Sequence, residues 1–371
     1  MICLVPIRLT HILDEHTPED ALRQLDLLLR RLPADRVEQR MIAVGRTPLV
    51  FRLPPGKVVA HVSGRWTWQA GRSWEWRRVM AEQRPHALHA WGITAGIVAR
   101  HVRPAGVPVA LTVTDPAEIG DVRRWWPLHA DPGSDRHGMV LCASEFVRSR
   151  IVGLGVPRDA TVLVRPGVDG DELAEARRRV RRSDLGLPET GPVLLTASPP
   201  TRAGGQFFAA WAAAILQKVW PDVRLVIPGR SREQDRIRRL IEGIYCPQVF
   251  LLVEDRFTPA ELLAVSDVLL MPAVQDVPTY WAAAAMTAGV PVVGSTVPSL
   301  AEGIADESTG CLCQPGEPHT LAIRVRQALD APDRLAKCVA AARRQAQQLF
   351  DPRTCVQAHL NVYGCATVPA G

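Results

Sequence analysis

Ser266-Asp-Val-Leu-Leu-Met-Pro272-Ala-Val-Gln-Asp276-Val-Pro-Thr-Tyr280-Trp-Ala-Ala-Ala-Ala-Met-Thr-Ala-Gly289-Val-Pro-Val-Val293 is the stretch on which the fold turns. Val268–Met271 is a short apolar run bounded by Asp267 and Pro272, the signature of a buried strand. Asp276-Val-Pro-Thr279 then leads into Tyr280–Ala288, whose four consecutive alanines favour a helix that Gly289 stops. Val292–Gly294 starts a second apolar run. A strand, a helix and a strand with short joints make a βαβ unit, and such units build parallel sheets.

The same alternation extends to both ends of the chain. Upstream, the expected strands are Ile2–Pro6, Arg40–Val44, Val58–Val62, Ala87–Ala90, Val109–Val113 and Met139–Ala143. After Arg165 they are Val193–Ala197, Val223–Ile227, Val249–Leu252, Val268–Met271, Val292–Gly294 and Gly310–Gln314. Two series of about six strands predict two Rossmann-like domains with parallel sheets. Residues 1–168 form the first, 169–348 the second, and 349–371 a helical tail crossing back to the first. Two further helix starts carry caps: Thr17-Pro-Glu-Asp20 ahead of Ala21–Leu32, and Thr258-Pro-Ala-Glu261 ahead of Leu262–Ser266.

Composition excludes several classes. The chain has 371 residues, 47% hydrophobic and 22% charged, which is globular and long enough for two cores. No apolar run is long enough to span a bilayer, and Met1-Ile-Cys-Leu-Val-Pro-Ile lacks the basic start of a signal peptide, so a cytoplasmic chain is expected. Its 44 basic residues exceed the 38 acidic ones by six, and only Lys57, Lys218 and Lys337 are lysines. That excess suits an anionic partner, or is simply a solvated basic face. Eight cysteines are scattered without a CxxC pair, and no clustered Asp-x-Asp motif of the metal-dependent type appears, so neither zinc nor another metal is expected.

The ordered set from Val249 to Asp330, preceded by Ala143-Ser-Glu-Phe-Val-Arg148 and Val164-Arg-Pro-Gly-Val-Asp169 and followed by Leu349 to Tyr363, resembles the family 4 retaining glycosyltransferases of the GT-B fold. The resemblance covers about 220 residues well and residues 1 to 138 loosely. It implies two Rossmann-like domains facing across a cleft and transfer of a hexosyl group from a nucleotide-diphosphate sugar with retention. The sugar nucleotide is a substrate, and no cofactor is implied. Acceptors in such a family are often glycans or lipid-linked, which leaves peripheral contact at an inner membrane face open.

Residue by residue, the resemblance is incomplete. Two acids eight positions apart become Asp276 and Ala284. The basic pair of the first donor-domain loop falls on Pro199 and Gly204, with Arg202 close by. The glycine-rich first loop is replaced by Arg8–His16, and the His-Asp step by Thr114-Asp115. The catalytic candidates are therefore Asp276, His89 and Asp115, the last two facing the acceptor. The donor-binding candidates are Ser198, Arg202, Gly229, Arg230, Pro278, Thr279 and Tyr280. Asp276 is expected to cap the helix whose first amides hold the diphosphate. The alternative is a catalytically inactive descendant acting as a binding or scaffold protein.

One segment belongs to this chain alone: Arg65-Trp-Thr-Trp-Gln-Ala-Gly-Arg-Ser-Trp-Glu-Trp-Arg-Arg78, joined by Trp125-Trp126 beside Arg123-Arg124. Tryptophans among arginines stack on sugars or bases, sit at a membrane surface, or pack inside the first domain. Nucleic acid is the weakest of these partners.

Overall fold

The computed structural model describes residues 6–45, 58–62, 74–126, 138–244, 246–253 and 256–367. The chain divides into two units: Met1–Gly167 with Pro352–Gly371, and Val168–Asp351.

The first unit runs β1 (Ile7–Asp14), α1 (Glu19–Arg31), β2 (Val37–Val44), β3 (Val58–Val62), α2 (Trp74–Gln83), β4 (Ala87–Trp91), α3 (Ile93–Val102), β5 (Val109–Val113), α4 (Val122–Trp125), β6 (Met139–Cys142), α5 (Glu145–Gly153) and β7 (Thr161–Leu163). Its seven strands lie in the order β3-β2-β1-β4-β5-β6-β7, all parallel. The second unit runs α6 (Gly170–Arg179), β8 (Val193–Thr196), α7 (Gln206–Leu216), β9 (Arg224–Pro228), α8 (Arg232–Gly243), β10 (Phe250–Val253), α9 (Pro259–Ala264), β11 (Val268–Met271), α10 (Tyr280–Ala288), β12 (Val292–Ser295), α11 (Pro298–Ala301), β13 (Cys311–Cys313), α12 (Pro318–Leu329) and α13 (Pro332–Leu349). Its six parallel strands lie in the order β10-β9-β8-β11-β12-β13. The last helix, α14 (Pro352–Thr367), belongs to the first unit.

Three expectations are corrected. Of the expected strand Ile2–Pro6, residues 2–5 lie outside the described residues; the first described strand is Ile7–Asp14, so Arg8–His16 is mostly strand and not a loop. Its polar letters misled: Thr10 and His11 are buried, because the strand is central and covered on both faces. Strand β7 carried too little apolar signal to be seen. Helix α1 begins without a hydroxyl cap: Pro18 is its N-cap residue, and the Thr17 hydroxyl instead accepts from the Asp14 amide at 2.9 Å and donates to the Trp91 carbonyl at 3.1 Å. Thr17 thus ties β1 to β4.

The start of α9 is a full capping box. Thr258 Oγ1 accepts from the Glu261 amide at 3.3 Å, while Glu261 Oε2 accepts from the Thr258 amide at 2.8 Å. Thr258→Ala is expected to lower the stability of the second unit by about 1 kcal/mol, read as a shift in its urea midpoint with unchanged slope.

Of the Trp/Arg segment, residues 65–73 lie outside the described residues. Trp76 is 1% exposed in α2 and Trp125 is wholly buried. Both pack with Ile12, Leu88 and Leu111 in one core of the first unit. These two rings are core, and they do not stack on a ligand.

Candidate functional site

In a doubly wound sheet, ligands sit outside the C-terminal strand ends where the strand order reverses. In the second unit that point lies between β8 and β11, so the relevant loops are 197–205 and 272–279. Both are firmly built. Gln206, 3% exposed at the head of α7, donates from Nε2 to the Ala197 carbonyl at 3.1 Å and accepts from the Thr201 amide at 3.1 Å. Thr201 Oγ1 accepts from the Gly204 amide at 2.8 Å. The two loops are joined by the Val274 amide, which donates to the Ala203 carbonyl at 2.8 Å. They approach so closely that a Cβ on Gly205 would lie 1.9 Å from the Pro272 carbonyl oxygen.

Asp276 is not the cap of α10. The N-cap residue is Thr279, and it makes no side-chain bond to the helix. Asp276 Oδ1 accepts instead from the Ser299 amide at 2.8 Å, in the first turn of α11, while Ser299 Oγ accepts from the Val277 amide at 3.1 Å. The reciprocal pair ties the loop after β11 to the start of α11. Asp276 therefore does not cap α10, whose N-terminal end has the polarity to attract an anion. Pro278, Thr279 and Tyr280 are half-buried there. Ala284, eight positions after Asp276, is 1% exposed and contributes packing alone.

Two buried polar atoms at the same edge have no partner among the described residues: Thr196 Oγ1 at the end of β8 and Trp281 Nε1 in the first turn of α10. Buried polar atoms are nearly always bonded, so each of these two atoms has hydrogen-bonding capacity left over near the switch point. Neither residue was picked out from sequence, because Thr196 reads as the tail of a strand and Trp281 as helix packing.

Ser198 and Gly229 lie against each other: a Cβ on Gly229 would stand 2.4 Å from Ser198 Oγ. Arg230 is exposed beside them. Arg202 is 85% exposed, and its Nε stands 3.9 Å from Glu233 Oε2 in the first turn of α8. Glu233 also accepts from Arg236 at 3.0 Å. Ser198, Arg202, Gly229, Arg230 and Asp276 all lie in loops at or near the C-terminal ends of β8, β9 and β11.

In the first unit, His89 is corrected as an acceptor-facing residue. It is wholly buried, with Nδ1 2.7 Å from the Tyr363 hydroxyl and Nε2 2.7 Å from Thr112 Oγ1. Trp91 stacks on it at 4.1 Å, and the rings of His11 and His359 flank it at 5.6 and 5.7 Å. Burial holds the His89 ring well below the ordinary histidine range, so it is neutral. The cluster fastens α14 to the first sheet. Asp115 is half-buried and accepts from the Ala117 amide at 2.9 Å, capping the turn Pro116–Asp121; burial pushes its carboxyl upward.

Comparison with known proteins fits this arrangement. Residues 177–345 match the model of the family described as Glycosyl transferases group 1, and residues 22–172 that of Glycosyltransferase Family 4. A D-inositol 3-phosphate glycosyltransferase of Catenulispora acidiphila is 31% identical over 205 residues, 52% of this chain and 47% of that protein. A 2-deoxystreptamine glucosyltransferase of Streptomyces kanamyceticus is 28% identical over 65% of this chain and 66% of its own length. The chain therefore spans about half the length of the first relative. The crystal structure of HepE from Anabaena in complex with UDP-glucose shares the fold with a TM-score of 0.81 at 18% identity, over 97% of this chain and 100% of that one. Matched in order by both family models, in units whose loops and strands lie as described above, the chain belongs to the group 1 and family 4 glycosyltransferases of the GT-B fold.

Proposed function

We propose that the chain transfers a hexosyl group from a nucleoside diphosphate sugar to an acceptor with retention of configuration. The observation that carries this reading is the start of α10: a helix of nine residues with no side-chain cap, at the switch point of a parallel sheet, beside the unbonded Thr196 Oγ1 and Trp281 Nε1. The first-turn amides of α10, from Thr279 onward since Pro278 has no N–H, have the polarity to receive the diphosphate, since a helix start binds an anion without needing a side-chain cation. Asp276 is placed to meet the sugar, held by Ser299. Ser198, Gly229 and Arg230 line the nucleotide side, and Arg202 supplies the positive charge that Pro199 and Gly204 do not. UDP-glucose is the donor to try first, because it is the one bound by HepE. No resident cofactor or metal enters the scheme. The relatives named above suggest a cyclitol-like or glycan acceptor, with Asp115 on the acceptor side.

The test is calorimetric titration with UDP, GDP and ADP and their glucose forms. Binding of one series in the micromolar to millimolar range is expected, and failure of all of them sinks the donor site. Asp276→Asn is expected to lower kcat about a hundredfold or more, the usual cost of removing one preorganised electrostatic group, while nucleotide affinity changes little.

A second reading, an inactive descendant that binds without turnover, is favoured by two observations. Ala284 is buried and apolar, and the Arg202 guanidinium is paired with Glu233. Tight nucleotide-sugar binding with no transfer to any acceptor would select it.

A further inference from the structure

The first sheet has a switch point of its own, between β1 and β4, and its chemistry is the opposite of the one in the second unit. Asp14, the last residue of β1, is 4% exposed. Its Oδ1 accepts from the His16 amide at 2.7 Å, while its Oδ2 is buried without a partner among the described residues. Glu118 reaches the same edge from the turn after β5. Its Oε1 accepts from the Ile93 amide, the first of α3, at 3.1 Å, and its Oε2 is likewise buried without a partner. The carboxyl lies so near the end of β4 that a Cβ on Gly92 would be 3.0 Å from Oε1. Thr114, 3% exposed just past β5, has a third unbonded oxygen, its Oγ1.

We infer that this corner of the first unit is a subsite for a ligand carrying a protonated amine, received by the free oxygens of Asp14 and Glu118. The proposal rests on the transferase reading only in calling that ligand part of the acceptor. Three buried oxygens without donors at one sheet edge are unusual, since native structures leave few such groups unbonded. What they lack is donors. An ammonium group brings three of them and a positive charge, and bonds to carboxylates are the strong ones. An anion is refused on two counts. Among the described residues no arginine or lysine at this corner offers it a cation, and the amide at the start of α3 that would have held it already serves Glu118. Of the two acceptor types carried in the relatives' names, the site therefore suits an amino-bearing ring and not a phosphorylated one. The field at the empty site is consistent with this. Burial pushes Glu118 up to about 8, with Asp115 and Asp14 adding in the same direction, so a cation entering would be met by a group ready to release its proton.

Glucosamine and glucose differ by the amine alone, and glucosamine 6-phosphate adds the anion, so these three sugars are the probes. Titrated into the full chain, glucosamine is expected to bind at least about tenfold more tightly than either of the others, the equivalent of one charged hydrogen bond. Asp14→Asn and Glu118→Gln should each remove that preference while leaving UDP affinity and the melting temperature near those of the wild type. If one variant fails to fold, the other carries the test. Equal affinity for glucose and glucosamine, tighter binding of the phosphorylated sugar, no glucosamine binding, or an unchanged preference in both folded variants would overturn the subsite. UDP binding is scored separately, so failure of the donor site leaves this outcome readable.

Discussion

Acidifying the protein from pH 6.5 to 4.5 is expected to lower the stability of the first unit, and to lower that of a Glu118→Gln variant by about 2 kcal/mol more. Two histidines and one glutamate set these changes. His89 and His359 are wholly buried, His359 with Nδ1 2.8 Å from the Cys355 carbonyl, and burial holds His89 well below the usual value and His359 down at about 4. In the unfolded chain both take up a proton below about pH 6.5, while in the folded chain His359 does so only near 4 and His89 only well below its ordinary range. The unfolded state then binds more protons, so stability falls as pH falls through that window. Glu118 works in the opposite sense. Its folded value of about 8 lies above the unfolded 4.5, so its contribution is largest at acid pH and is lost as pH rises towards 8. Between pH 7 and 8 the wild type should therefore lose up to about 1 kcal/mol that the variant does not. Asp14 and Asp115, also pushed up by burial, act in Glu118's direction nearer the carboxylate range. Urea midpoints at pH 4.5, 6.5 and 8 for both proteins check the prediction. Parallel curves for the two would show that Glu118 titrates normally, and a flat acid limb in both would show that the histidines are not buried neutral.

Those same histidines show where reading the chain alone stops. Most strands of the second unit were legible because they are short runs rich in valine, leucine and isoleucine, and Tyr280–Ala288 was legible because alanine and a terminal glycine say helix in any context. His89 was legible only as a polar letter at a strand end. Its neutrality comes from burial, and its Nδ1 meets the Tyr363 hydroxyl, placed 274 positions away by the return of α14; no local pattern announces such a pairing. Arg8–His16 failed for the same reason in reverse: a central strand tolerates Thr10 and His11 because neighbouring elements bury and bond them.

The site divides along the same line. Asp276 was found because a motif placed it, but its partner was taken to be the next helix in sequence. The structure gives it to Ser299, 23 positions on, because the loops after β11 and β12 lie side by side. Glu118 and Asp14 were not singled out at all. Each is an ordinary acid in an ordinary turn or strand end, and only burial without a partner makes them exceptional.

Gly205 carries the other large effect. It has φ of +67°, and a methyl group there would stand 1.9 Å from the Pro272 carbonyl oxygen, a backbone atom that cannot rotate aside. Gly186 has nearly the same φ, +68°, with nothing within 4 Å of an added Cβ. The two positions therefore share the left-handed backbone penalty and differ in the clash. Gly186→Ala is expected to destabilise the second unit by about 1 kcal/mol, the cost of placing alanine in that conformation. Gly205→Ala is expected to cost on the order of 3 kcal/mol or more, because relief requires the loop after β8 to part from the loop after β11. The same movement breaks the bond from Val274 to Ala203 and shifts the segment that holds Asp276 and the start of α10. Nucleotide affinity should therefore fall in any Gly205→Ala protein that remains folded, and stay at the wild-type level in Gly186→Ala. Paired melts and UDP titrations of the two variants decide it. Equal effects of the two substitutions would mean that the loops after β8 and β11 do not meet at this point, and the donor site built on their meeting would fall with them.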